Sequence, residues 1–169
     1  VLLTPGPYSE TYFEHAYLAR YLGLPLVEGG DLVVRETRLY LKTVEGLEPV
    51  HGMLRRLDDE WCDPLELRVD SALGVPGLLQ AVRAGHLVMA TLHGNNSYHA
   101  LGRILSFYTP ESRPALLSDL ASGLKAIVSQ RLLKSPAGGR VAAVEILLNT
   151  KLTAELIEKG ELGGVKEAM

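Results

Sequence analysis

The sequence predicts an α/β protein, with a mixed sheet and flanking helices. Three observations predict it. Short apolar runs alternate with stretches of helical period along the 169 residues. Most of the breaks between them carry glycine or proline. Around Gly85, a helical stretch, a glycine and an apolar run follow one another. That order is the second half of a β-α-β crossover, the connection that parallel strands require.

The elements follow in order. Val1-Leu2-Leu3-Thr4 reads as a buried strand stopped by Pro5-Gly6-Pro7. Thr11-x-x-Glu14 has the form of a capping box, and the helix it opens is expected to run to about Leu22, with Gly23 as its stop. Leu24 to Glu28 is a second strand candidate. Gly29-Gly30 leads into Leu32-Val33-Val34, and Arg38 to Lys42 alternates polar with apolar, so the two runs predict a hairpin. Met53 to Leu57 predicts another strand. Pro76 suits a first helical turn, Gly77 to Ala84 continue it, and Gly85 closes it.

His86 to Leu92 is expected to be a strand of the fully buried kind. Asn96 is placed to cap the next helix, whose face carries Ala100, Leu101, Ile104, Leu105 and Tyr108. After Thr109-Pro110, Ser112 is expected to cap a long helix ending near Leu133, with a stripe from Leu116 to Val128. Pro136 to Gly139 is a loop, Arg140 to Leu148 a strand, and Thr153 to Lys159 a short amphipathic helix. Glu167-Ala168-Met169 looks like a starting helix, and the chain has no initial Met, so both ends are expected to be cut points.

Composition bounds the function. Charged residues are 22% of the chain and the net charge is −3, which argues against a nucleic-acid partner. Residues 1–85 carry 8 Lys and Arg against 13 Asp and Glu, and residues 86–169 carry 9 against 7. The balance steps from −5 to +2 at that point, as expected for two partial domains, 1–85 and 86–169. The single cysteine, Cys62, excludes a disulfide within the chain and makes a reducing cytoplasm the expected compartment. Asp58, Asp59, Glu60 and Asp63 surround it in sequence and are expected to raise its pKa, leaving an inert thiol. No apolar run reaches the length of a membrane span, and Pro5-Gly6-Pro7 cuts short any signal peptide.

Two clusters carry candidate chemistry. Arg55 and Arg56 suit bidentate contact with a carboxylate or phosphate. Asp58 and Asp59 offer oxygen ligands to a hard metal. The same four residues also read as a solvated ion-pair cluster at a strand end. In the second cluster, His93 follows an apolar strand. It reads as a strand-end cap or, beside a phosphate, as a hydrogen-bond donor to a γ-phosphate oxygen. His86, His93 and His99 lack the i, i+4 spacing of helical zinc ligands, so no metal site is expected from them.

Several segments of residues 1–85 resemble the circularly permuted ATP-grasp proteins. They include Thr4-Pro5-Gly6-Pro7-Tyr8, Tyr12-Phe13-Glu14-His15 and Val27-Glu28-Gly29-Gly30-Asp31-Leu32. Leu54 to Asp59, Asp63-Pro64-Leu65 and Ser71 to Leu78 continue the likeness. The resemblance implies a ligase-like parent that joins a carboxylate to an amine through an acyl phosphate, with its ATP and Mg²⁺ ligands elsewhere in that parent. His51-Gly52 departs from the family, which tends to an acidic and an apolar residue there.

Residues 85–169 resemble another family. Gly85-His86-Leu87-Val88, Thr91-Leu92-His93, Asn95, Arg103-Ile104, Phe107, Leu124 to Leu133, Gly139 to Thr150, Glu155-Leu156-Ile157 and Val165 to Met169 carry the likeness. They are similar to the C-terminal part of the type IV pilus retraction ATPases, the motors of twitching motility. This implies part of a RecA-like core from a hexameric cytoplasmic ATPase that uses ATP and Mg²⁺ and acts on the pilus machinery. The family's phosphate-sensing role falls on His93, in a motif shared with His86 and Thr91. The family also needs a phosphate-binding loop, G-x-x-x-x-G-K-[ST], earlier in the chain, and this sequence contains no Gly-Lys pair. The expectation is therefore a motor fragment inactive alone. The alternatives are a ligase fragment or a non-catalytic fusion of two parents.

Overall fold

The computed structural model describes residues 1–92 and 94–169; His93 lies outside the described residues. The chain divides into two compact units, Val1–Thr91 and Leu92–Met169.

Unit 1 is built on a parallel sheet. Its strands are β1 (Leu2–Leu3), β2 (Leu26–Val27), β6 (Gly52–Arg55) and β7 (Leu87–Ala90), in the order β2-β1-β6-β7. Helix α1 (Tyr12–Leu22) joins β1 to β2, and α2 (Leu78–Arg83) joins β6 to β7. The expected crossover around Gly85 is thus present: Gly52 to Arg55 pair in parallel with Leu87 to Ala90. Between β2 and β6 the chain forms an antiparallel meander of β3 (Leu32–Arg35), β4 (Arg38–Thr43) and β5 (Gly46–Pro49). Parallel and antiparallel strands therefore occupy separate sheets. Leu3, Leu32, Leu39, Met53, Val75 and Leu78 lie at the centre of one apolar core. Each such side chain contributes about 2 kcal/mol on burial.

Three expectations for unit 1 are corrected. First, Thr11 does not cap α1 through its side chain. Its hydroxyl turns to His15 Nε2 at 3.1 Å. The C-terminal stop is as expected: Gly23 takes a left-handed conformation, φ 67°, and its N–H donates back into the helix. Second, β7 is not fully buried; Leu87 and Met89 are 49% and 50% exposed. It is the edge strand, so only one neighbour, β6, covers it. Third, the acidic residues are not the main influence on Cys62. Burial is the largest cause raising its pKa, the Arg55 guanidinium works against it, and Asp59 and Asp58 add smaller upward effects.

Unit 2 contains α3 (Ser97–Ser106), α4 (Arg113–Gly123), the antiparallel pair β8 (Ala126–Lys134) and β9 (Arg140–Leu148), α5 (Lys151–Glu158) and α6 (Leu162–Glu167). Leu101, Leu147, Ile157 and Val165 form its core. Asn96 caps α3 by accepting the His99 N–H at 2.7 Å, as expected. Ser112 makes no such cap on α4 and donates instead to the Thr109 carbonyl. Glu167 is the last residue of α6, and Ala168 follows it as the C-cap.

The long helix expected as far as Leu133 is two elements. It stops at Gly123, and Asn149 Nδ2 donates to the carbonyls of Ala121 and Leu124, both at 2.9 Å. The residues beyond form β8, which pairs with β9 in nine consecutive positions. Strand β9 needs a ladder partner, and the segment one hairpin away supplies it. Pairing with Val141, Val144 and Ile146 outweighs the helical preference of Leu132 and Leu133. Arg131 lies on β8 opposite Ala143.

Candidate functional site

The parallel sheet of unit 1 defines a ligand edge. From β1 the chain crosses to β2 on one side, and from β6 it crosses to β7 on the other. The carboxyl ends of β1 and β6 therefore flank a topological switch point, where open α/β sheets leave a crevice. Thr4 follows β1, Arg56 follows β6, and Thr91 follows β7 after Ala90. The Arg56 N–H donates to the Leu3 carbonyl at 2.9 Å, which fixes its backbone against β1. Its Nη1 donates to Thr91 Oγ1 at 3.2 Å. A shallow pocket beside it is lined by Phe13, Glu14, Tyr17, Leu18 and Arg56.

Behind this edge lies a polar network that the residue pattern did not disclose. His15 is 2% exposed and Thr4 1%. Thr4 Oγ1 lies 2.9 Å from His15 Nδ1, and Thr11 Oγ1 lies 3.1 Å from Nε2. The Gly6 N–H donates to Thr4 Oγ1 at 3.3 Å. Burial lowers the pKa of His15, the Arg56 charge adds to that, and Glu14 opposes it. A neutral ring satisfies the whole chain of bonds: Thr4 donates to Nδ1, Nε2–H donates to Thr11, and Thr11 donates to Ser9. The i, i+4 spacing of Thr11 and His15 on a helix was the one available signal.

Arg55 and Arg56 do not converge. Neighbours along an extended backbone point apart. Arg55 turns away from the edge, hydrogen-bonds the Leu57 carbonyl and Cys62 Sγ, and forms an ion pair with Asp59. In that ion pair the Arg55 side chain is largely buried and Asp59 is exposed. Asp58 is exposed. No group of three His, Cys, Asp or Glu side chains suited to a metal occurs among the described residues.

His86 and Thr91 are also separated. His86 precedes β7 and Thr91 follows it, so roughly 15 Å of strand parts them. Burial is the main cause lowering the His86 pKa, followed by the charges of His51 and the N-terminus, which belong to the amino end of the sheet. Its Nε2 is buried without a hydrogen-bond partner.

Asp63 has a structural role that its place in the sequence motif does not disclose. It is fully buried. Its Oδ1 accepts the N–H groups of Leu65 and Gly77 at 2.9 and 3.1 Å, and Oδ2 accepts that of Leu79 at 2.9 Å. It thereby ties the loop after Cys62 to the start of α2. The glycines of the quoted segments meet nearby. A Cβ on Gly29 would lie 2.2 Å from the Leu73 carbonyl oxygen, and one on Gly74 would lie 2.2 Å from that of Trp61.

An open parallel α/β sheet with a switch point flanked by Arg56 and Thr4 is a fold class of ligand-binding proteins. Comparison narrows the class. Residues 1–111 match the family described as circularly permuted ATP-grasp type 2, and residues 72–161 match that described as type II/IV secretion system protein. The chain belongs to both families, through stretches that overlap at residues 72–111. It is 50% identical over 95 residues to a protein of Mycobacterium bovis, spanning 56% of this chain and 17% of that one. It is 44% identical over 111 residues to a Synechocystis protein, spanning 66% and 23%. A second M. bovis protein aligns at 37% identity over 166 residues, covering 90% of this chain, and so reaches into both units, and 19% of the relative. The chain thus spans about a fifth of these relatives.

Among solved structures, the pilus retraction motor PilT with bound ADP superposes with a TM-score of 0.56 at 29% identity, over 72% of this chain and 32% of the motor. The ATPase DotB of Legionella pneumophila shares the fold, with a TM-score of 0.50 at 18% identity over 72% and 30%. The expected relation to both families is therefore established. No helix among the described residues is long and apolar enough to cross a membrane.

Proposed function

We propose that this chain carries a nucleotide-facing part of a retraction-type motor ATPase and does not hydrolyse ATP by itself. The observation that carries this reading is the Arg56–Thr91 contact at the switch point. It puts a guanidinium and a hydroxyl, both suited to a phosphate oxygen, at the sheet edge that leads into His93. The similarity to PilT supports the motor parentage. Twitching motility, a pilus partner, a cytoplasmic setting and hexamer-like assembly come with that parentage.

The residues fit ATP only in part. Arg56 and Thr91 would take phosphate oxygens, and His93 the terminal phosphate. No Gly-Lys loop is present to wrap the triphosphate. For Mg²⁺ the fit is poor, because Asp59 pairs with Arg55 and no group of three such ligands occurs among the described residues. Bound ATP would supply the energy of phosphoryl transfer; this chain's residues would bind and orient its phosphates. The test is Mg-ATP hydrolysis by the purified chain. No turnover above buffer is expected, and a turnover abolished by His93→Ala would overturn the proposal.

A second reading is part of an ATP-grasp carboxylate–amine ligase. The ATP-grasp family match over residues 1–111 favours it, because that stretch includes Arg56 and Thr91. Under this reading Arg56 receives the carboxylate or acyl phosphate. Hydroxylamine trapping separates the two: an acyl hydroxamate formed from ATP and a carboxylate supports the ligase and counts against the motor. If both parents contributed, the chain is a fusion, and the encoding DNA on either side would show two unrelated reading frames joined near residue 85.

A further inference from the structure

Unit 2 holds an open strand edge. Strand β8 gives one edge to β9 over nine residue pairs, and no strand takes its other edge among the described residues. Nine residues of open backbone donors and acceptors form a template for another strand. Two of the usual protections are absent, since β8 contains no proline and its register with β9 runs without a bulge; its charges are Arg131 and Lys134. The outward face of the pair is apolar as well. Val128 is 64% exposed and Leu132 57%, beside Val144, Ile146 and Leu148 on β9.

The order of residues along β8 says what fits this edge. Ala126-Ile127-Val128-Ser129-Gln130-Arg131-Leu132-Leu133-Lys134 has nearly the same polarity read in either direction from Gln130. Ser129 mirrors Arg131, Val128 mirrors Leu132, and Ile127 mirrors Leu133.

We propose that β8 pairs with β8 of a second copy of this chain, antiparallel about a two-fold axis through Gln130. The product is a four-stranded sheet in which the two β8 strands are central and the two β9 strands are edges. Val128 then lies opposite Leu132 of the second copy, and Ile127 opposite its Leu133. Arg131 faces a serine and Lys134 an alanine, so no like charges meet. The two Gln130 amides face each other and can exchange a hydrogen bond. With Ile146 and Ala142, which pair with Val128 and Leu132 within each copy, the apolar row becomes continuous across four strands.

Strand β9 does not offer the same fit. Centred on Val144, it would set Arg140 against Leu148 and Ala143 against Glu145. The Glu145 carboxylate is already engaged, accepting the Ser97 N–H at 2.8 Å. The interface is isologous, so it closes at two copies. It does not depend on nucleotide binding, and its test is separate from that of the proposed function.

The test is the mass of the full chain by light scattering over a wide range of concentrations. A species of twice 18.4 kDa should grow with concentration. The double variant Val128→Glu with Leu132→Glu sets glutamates opposite each other across the axis and should abolish the dimer. Val128→Glu with Leu132→Lys sets Glu against Lys at the same positions and should restore it, which loss of folding would not allow. Gln130→Cys should cross-link the two copies on oxidation, since the native Cys62 is buried. A chain that stays monomeric overturns the proposal. So does a dimer that survives the paired glutamates, which would place the contact on another surface.

Discussion

Two buried polar residues carry much of unit 1. Asp63 accepts three backbone N–H groups in a site closed to water. Removing the carboxylate strands those donors. Asp63→Ala should cost about 3 kcal/mol. Urea unfolding followed by Trp61, the chain's single tryptophan, measures it. His15 supplies a pH dependence. Its folded pKa lies below the ordinary 6.5, chiefly through burial. The unfolded chain therefore binds a proton that the folded chain does not. The stabilisation is complete above about pH 6.5 and is lost progressively as the pH falls below it towards the folded value. The urea midpoint should drop between about pH 7.5 and about pH 5.5. His15→Gln should reduce that slope, with His86 sustaining the remainder, because burial lowers its pKa too. Neither role was legible in the sequence beyond a hint. Asp63 finds its partners 14 and 16 residues away, and His15 reaches Thr4 across 11. Such pairings depend on the closing of loops, which local spacing does not encode.

At the scale of elements, local signals worked where one element answers to its own residues. Gly23 ends α1, Asn96 caps α3, and the β3–β4 hairpin follows from alternation. They failed where a distant partner decides. The run after Gly123 has leucines enough for a helix, yet β9 claims it as a strand. The edge exposure of β7 was equally hidden, because an apolar run of four does not tell how many neighbours it has. Asn149 marks the boundary between helix and strand. Its amide donates to two carbonyls at the end of α4. Asn149→Ala should cost unit 2 about 2 kcal/mol and speed hydrogen exchange at the end of α4 and the base of β8. Unchanged exchange there would mean that Gly123 alone sets the boundary. The candidate site was legible in its members Arg56 and Thr91. Their meeting was not, since 35 residues separate them.

Among the described residues, each compact unit has its own apolar core. Cooperativity follows shared burial, so each unit should unfold as its own block. Ile157→Ala removes a fully buried side chain from unit 2 and should cost about 3 kcal/mol there. Met53→Ala should do the same in unit 1. Native-state hydrogen exchange read by mass spectrometry distinguishes them. Each variant should accelerate exchange in its own unit and leave the other's rates unchanged; a shared response would reveal one cooperative body.

The parallel ladder from Gly52–Arg55 to Leu87–Ala90 has one more consequence. A terminal strand with a single neighbour asks little of its amino acids: a four-residue apolar stretch and a tight turn before it suffice. Gly85, at φ +103°, makes that turn. The open side of β7 should therefore accept polar residues at Leu87 and Met89, because no strand among the described residues lies beyond them.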